Sequence, residues 1–200
     1  MSDTYCYLRL KGEGRDTLAL RDELEGGTFA RWRKSGITVW GIWSGMFGVG
    51  SNELFVVAAA AGVRRQDDFL SELNDAEIVD TELFTPTVRP EGNAPCDRAG
   101  LYVFRFFEVD NKDVDEIAEL SNEAWTTFEN TQSYQAEPQG LFRQQDLAAS
   151  PGRMLLVTWY DGLDSWQTSR RPAPAATANF MKRRDLTRGT IAYATLLVTK

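Results

Sequence analysis

Apolar positions along this chain follow two alternating rhythms, and the same succession of rhythms occurs twice. Residues 4–10 form a nearly unbroken apolar run with one charge, the pattern of a buried strand, and a glycine-containing run at 11–14 closes it. From Asp16 the spacing becomes helical, with Leu18, Leu20 and Leu24 apolar; Gly26-Gly27 interrupts it, and it resumes through Phe29 and Trp32 to Lys34. Residues 37–44 read as a strand, 45–51 as a glycine-rich turn and 53–59 as a second apolar strand. A short amphipathic helix at 67–73 and a strand at 78–88 follow. The order is β-α-β-β-α-β.

The second half repeats it. Residues 101–109 read as a strand, and Asp110 is suited to cap a helix carrying Val114, Ile117, Leu120, Ala124, Trp125 and Phe128 on one face. Strands at 140–145 and 154–160 flank the turn-rich 147–152. The helical region at 163–184 is broken by Pro172 and Pro174, and a strand at 190–199 closes the half. Between the halves, Arg89-Pro90-Glu91-Gly92-Asn93-Ala94-Pro95 has linker chemistry, so the expected organisation is 1–89, a linker at 90–99, and 100–200. Cys6-Tyr7-Leu8-Arg9-Leu10 aligns with Tyr102-Val103-Phe104-Arg105-Phe106, and Gly41-Ile42-Trp43 with Gly140-Leu141-Phe142. Each half is thus a four-stranded antiparallel sheet with helices on one face, the ferredoxin-like unit. The bare sheet faces need covering, which predicts an α+β fold of two such repeats packed sheet to sheet as an α+β barrel.

Composition narrows the chemistry. Apolar residues are 42% and charged residues 26% of the chain, the balance of a globular protein with its own core. A net charge of -7 opposes binding to nucleic acid or anionic membranes. The apolar runs are too short to span a bilayer, and the start lacks a signal-peptide pattern. Cys6 and Cys96 have neither metal nor CxxC spacing, and a cytoplasmic address is expected. The chain has no histidine. That removes Ser-His-Asp and Cys-His catalysis and the usual zinc sites, and it speaks against haem. The missing dinucleotide fingerprint speaks against a Rossmann-type flavin site, so the expected cofactor list is empty: no haem, zinc or flavin.

Among the residues present, Arg9 and Arg105 stand out, each alone among apolar neighbours in mid-strand. In the shared register, Cys6, Leu8 and Leu10, like Tyr102, Phe104 and Phe106, suit the helix-covered face, which points both arginines to the barrel side. There each needs a carboxylate or an anionic ligand: either a structural ion pair or a site for a carboxylate, phenolate or enolate. Trp40, Trp43, Trp125, Phe128 and Phe142 are candidate walls, and Arg143 and Asp146, ending an aromatic strand, are candidate polar companions. Tyr134 is a candidate proton donor and Asp146 a candidate base. The glycine loop at 45–51 precedes a strand rather than a helix and reads as a hairpin, not a phosphate cradle. Lys182-Arg183-Arg184 reads as a solvated helix end.

With its repeated order and aromatic second strand, the chain resembles the dimeric α+β-barrel superfamily. Its second half is most similar to the NIPSNAP branch, in the strand at 101–106 leading a helix and the strand at 153–160 preceding a helix that opens Ser165-Trp166. Pro172-Ala173-Pro174 departs from that pattern, where the family keeps a helix. Chlorite dismutases resemble the same architecture, but they depend on a proximal histidine that this chain lacks. The resemblance implies a small lipophilic ligand in or beside the barrel. The expected function is a cofactor-independent enzyme of lyase, isomerase or oxygenase type acting on a hydrophobic, aromatic or polyketide-like molecule in the barrel cavity. Arg105, Asp146 and Tyr134 would do the chemistry, and Arg9, Trp40, Trp43, Trp125, Phe128, Phe142 and Arg143 would bind. A non-catalytic binding or assembly protein on the same barrel is the alternative. Homodimerisation through helices or outer strands is a further expectation.

Overall fold

A computed structural model describes residues 3–73, 76–172 and 174–199. The strands are β1 (Thr4–Lys11), β2 (Ile37–Phe47), β3 (Glu53–Ala60), β4 (Glu77–Arg89), β5 (Leu101–Val109), β6 (Ala136–Gln144), β7 (Gly152–Tyr160) and β8 (Thr187–Leu197). The helices are α1 (Leu18–Glu23), α2 (Phe29–Lys34), α3 (Asp67–Leu70), α4 (Val114–Phe128), α5 (Leu163–Thr168) and α6 (Pro174–Asp185). Hydrogen bonding orders the strands β1-β3-β2-β8-β5-β7-β6-β4 and returns to β1, the closed order of an α+β barrel. The fold class expected from the repeat is the one observed. Among the described residues, no helix is long and apolar enough to cross a membrane.

The chain divides into two compact units. One comprises Met1–Thr85, Gly92–Ala99 and Tyr193–Lys200; the other comprises Pro86–Glu91 and Gly100–Ala192. Most of the segment read as a linker therefore belongs to the first unit, where the Cys96 amide donates to the Trp40 carbonyl at 2.7 Å.

In the first unit β1 lies between β3 and β4, antiparallel to both, and β2 lies between β3 and the end of β8. Alternation puts Cys6, Leu8 and Leu10 on one face, against Leu20, Leu24, Phe29, Trp32 and Phe69. Burial there pushes the Cys6 thiol up to about 12, so it is an inert core group. Gly26 and Gly27 do not stop the helix. They sit in a π-helical turn, Leu24–Thr28, that carries α1 directly into α2. Leu18 lies outside the apolar stripe and is exposed, and α3 is a single turn. The glycine loop is the hairpin expected, with the Glu53 amide donating to the Gly50 carbonyl at 3.1 Å.

The second unit repeats the plan, with β7 between β5 and β6. The strongest mark of the repeat is a shared irregularity. β2 shifts register between Val39 and Gly41, and β6 between Pro138 and Gly140, each beside the same glycine. Two residues on, the rings of Trp43 and Phe142 lie over Gly41 and Gly140, in space a methyl group would fill.

At the arginines the expected register is off by one residue. On β5 the helix-side cluster takes Phe107 and Val109, packed against Val114, Ile117, Ala118 and Trp125 of α4. Arg105 shares that parity, so it points under the helices, whereas Arg9 shares the helix-free face with Tyr7. Both faces of β5 are apolar and buried, so alternation does not choose between them; the helix contacts do.

Candidate functional site

The site grows from one face of the second unit's sheet. Arg105 and Phe107 of β5 and Leu156, Thr158 and Tyr160 of β7 point to the same side, because their partners Arg105↔Leu156 and Phe107↔Met154 face each other across the ladder. Trp125 and Phe128 descend from α4, and Phe180 and Arg183 from α6. Together they enclose a cleft of about 260 Å³, with Arg170 and Arg184 also in its lining. The helices are held to each other by Phe128 edge-on to Phe180 at 5.7 Å and by Asn179 Nδ2 donating to Glu123 Oε2 at 3.0 Å.

The space exists because α6 is poor in large apolar groups on its inner side. The corresponding layer of the first unit is filled by Leu20, Leu24, Phe29, Trp32 and Phe69. α6 offers Ala176, Phe180 and Arg183 instead.

Charge in the cleft has one sign. Arg105, Arg170, Arg183 and Arg184 line it, and among the described residues no Asp or Glu does. Nearby carboxylates are already engaged: Asp185 pairs with Arg184 at the cleft's rim, and, outside the cleft, Glu129 pairs with Arg89 and Asp110 with Arg188. The last pairing also explains why Asp110 does not cap the helix at its side chain. Arg105, Arg170 and Arg183 have no carboxylate partner among the described residues. Arg183 is 8% exposed, donates to Ser121 Oγ at 3.2 Å, and lies over Phe107 and Phe180 at 5.2 and 4.9 Å. Ser121 spends its own proton on the Ile117 carbonyl. Burial lowers the Arg105 pKa; Tyr160 opposes this and Arg170 adds to it. Arg183 is pushed down to about 9, by burial first and then by Arg105 and Arg170, with Tyr160 again opposing.

Of the residues singled out from sequence, Arg105, Trp125 and Phe128 come together here. Tyr134 is buried beside Phe128, ring centres 5.3 Å apart, and its pKa is raised by burial and by Tyr160. Arg143 lies on β6 opposite Met154, outside the cleft, and Phe142 is committed to covering Gly140. Asp146 is exposed beyond the end of β6, its Oδ1 accepting from the Ala148 amide at 2.9 Å. It faces solvent in a turn and does not line the cleft, so it is not positioned as a base there.

The remaining candidates lie in the first unit. Arg9 is an ion pair: Nε donates to Glu53 Oε2 at 2.6 Å, and the guanidinium lies 5.2 Å from the Tyr193 ring. Arg9→Met should cost about 1–2 kcal/mol in urea unfolding, less than a fully buried pair because both partners keep some solvent contact. Glu53→Gln should cost less, since it retains an acceptor. Trp43 packs against Trp40, and Trp40 lines an apolar cavity of about 700 Å³ with Phe29, Ile42 and Leu197. That cavity is the larger, but Glu25, Arg33 and Asp97 on its wall carry both signs, so no one kind of polar ligand is singled out.

Sequence reading missed Arg183, Arg170 and Tyr160 as a group. The signal for Arg183 was present: Ala176, Phe180 and Arg183 recur at helical spacing on one face, but its basic neighbours made the stretch look solvated. Arg170 follows α5 with no periodic mark.

No family model and no curated protein matches the sequence. Solved structures match over nearly the whole chain. An anthrone oxidase-like protein is 14% identical with a TM-score of 0.59, covering 98% of this chain and 91% of that one. A chlorite dismutase variant from Candidatus Nitrospira defluvii is 10% identical with a TM-score of 0.64, covering 99% and 92%. A ferredoxin-fold protein from Listeria monocytogenes, related to antibiotic biosynthesis monooxygenases, is 10% identical with a TM-score of 0.55, covering 100% and 97%. At these identities the likeness is one of fold, and it is to ferredoxin-like α+β-barrel proteins.

Proposed function

We propose that the chain is an enzyme that processes a hydrophobic, aromatic small molecule by acid–base chemistry, without a resident cofactor, in the cleft under α4 and α6. One observation carries the reading: an aromatic-walled cleft in which Arg105 and Tyr160 converge and, among the described residues, no carboxylate intrudes. A ring would lie among Phe107, Trp125, Phe128 and Phe180. Water admitted to the cleft would take the proton from the carbon beside the oxygen-bearing carbon, and Arg105 would stabilise the negative charge that develops on that oxygen, as in a phenolate or enolate. Tyr160 or Tyr134 would return a proton and regain its own from water.

Size supports the substrate class. A cavity of ~150 Å³ accepts benzene, so about 260 Å³ suits a substituted ring or a fused pair. A porphyrin does not suit it, and the chain offers no imidazole to bind the iron. The closer kinship to the NIPSNAP branch rests on the motifs at 101–106, 153–160 and Ser165-Trp166. Arg9, Trp40, Trp43, Phe142 and Arg143 have structural duties or lie elsewhere, so this reading leaves them out of substrate binding; it gives Asp146 no catalytic role.

The test uses 1-tetralone in deuterium oxide. Exchange at the carbon beside the carbonyl, followed by proton NMR, should be accelerated by the protein, and Arg105→Met should reduce the acceleration about 10²-fold. Bound tetralone that exchanges no faster than in buffer would overturn the enzyme reading and leave the binding protein.

A further inference from the structure

The positive charge in the cleft exceeds what the proposed chemistry needs. One guanidinium suffices for an oxyanion that forms and disappears during a reaction. Here Arg105, Arg170 and Arg183 converge on one cleft without a carboxylate among the described residues, in a chain of net charge -7 whose neighbouring acids are already paired. Arg183 in particular is more than nine-tenths buried, and among the described residues its hydrogen-bond and ring contacts are a serine hydroxyl and two ring faces. Keeping such a group charged without a counterion is costly, and proteins place buried charges against partners. The partner is therefore to be sought in the ligand.

Resting on the cleft being the ligand site, we infer that its ligand is an aromatic carboxylate of one or two fused rings, whose acid group is the missing counterion of this arginine cluster. A guanidinium fork matches a carboxylate in two parallel hydrogen bonds, which fits the planar geometry of such an acid. The aromatic wall supplies the rest of the affinity by burying the apolar surface of the ring; Arg183 over Phe107 and Phe180, and Arg89 over Trp125 at 5.0 Å, hold cations beside that wall. Phe107, Phe180 and Trp125 would each give a ring edge or face to the guest. A bare inorganic anion would leave that wall unused.

The experiment is calorimetric titration of the full chain with 1-naphthoate and with 1-naphthamide, which have the same shape and differ in charge. The naphthoate should bind about 10- to 100-fold more tightly, the worth of one charged hydrogen-bonding pair. Arg170 is exposed, so Arg170→Met should fold normally; it should weaken naphthoate several-fold and leave naphthamide unchanged. Arg105→Met should remove most of the naphthoate preference without lowering the melting temperature of the free protein, since no carboxylate is orphaned. Equal binding of the two probes would overturn the anion inference and leave the cleft as a site for neutral rings. Failure of both to bind would overturn the cleft reading as well. Sulfate binding as tightly as naphthoate would overturn the aromatic part of the inference.

Discussion

Trp32→Ala should cost about 3–5 kcal/mol in urea unfolding, a fifth or more of the stability of an ordinary domain. Trp32 has no solvent exposure. Its ring is tilted against Phe29 at 5.6 Å and stands edge-on to Phe69 at 6.4 Å, and its indole nitrogen donates to the Phe69 carbonyl at 3.1 Å. Truncation therefore opens a cavity between α2 and the sheet and orphans a buried carbonyl. Trp32→Phe separates the two costs: it keeps much of the volume and should lose only about 1–3 kcal/mol, for the carbonyl and the missing ring. Equal losses in the two variants would show that the hydrogen bond, not the packing, dominates here.

The second large effect is expected at Gly41. A Cβ there would run into the six-membered part of the Trp43 indole, which is fully buried and tilted against Trp40, with no room to swing aside. Overpacking of this kind costs about 1–3 kcal/mol, and Gly41→Ala should fall at the upper end. Adding Trp43→Leu should recover much of the loss caused by the alanine, although Trp43→Leu alone is destabilising. That non-additivity is the signature of a direct clash. Gly140→Ala should behave alike, relieved by Phe142→Leu, and more mildly because a phenyl ring is smaller than an indole.

These positions also show which parts of the molecule could be read before its structure. Gly41-Ile42-Trp43 and Gly140-Leu141-Phe142 aligned correctly because the motif has a steric reason: an aromatic two residues after a glycine covers the bare Cα on the same face of the strand. The element order was legible for the same kind of reason, since helix and strand periods differ. The alignment of Arg9 with Arg105 had no such reason behind it. β5 is buried on both faces, so its alternation carries no sign, and a slip of one residue moved Arg105 from the helix-free face to the cleft under α4 and α6. Gly26-Gly27 misled in another way: glycine lowers helix propensity, but a helix anchored by Leu20, Leu24 and Phe29 on the sheet tolerates the local widening. The aromatic part of the site, Trp125 and Phe128, followed from helical spacing. Apart from Arg105, its charge came from α6 and the segment before it, where two prolines and a run of small residues obscured the period.

The path of β8 has a consequence for how the polypeptide is made. The residues of β8 that pair with Trp43, Ser44, Gly45 and Phe47 belong to the first unit, and the Val198 amide donates to the Ile42 carbonyl at 2.8 Å. Every other element of that unit emerges from the ribosome before β5 does. Its sheet must therefore wait, with one flank of β2 unpaired, until the whole of the second unit has been synthesised. During that interval β2 is an open edge of the kind that invites strand exchange between nascent chains. Completion of the first unit is thus timed by translation rather than by its own local sequence.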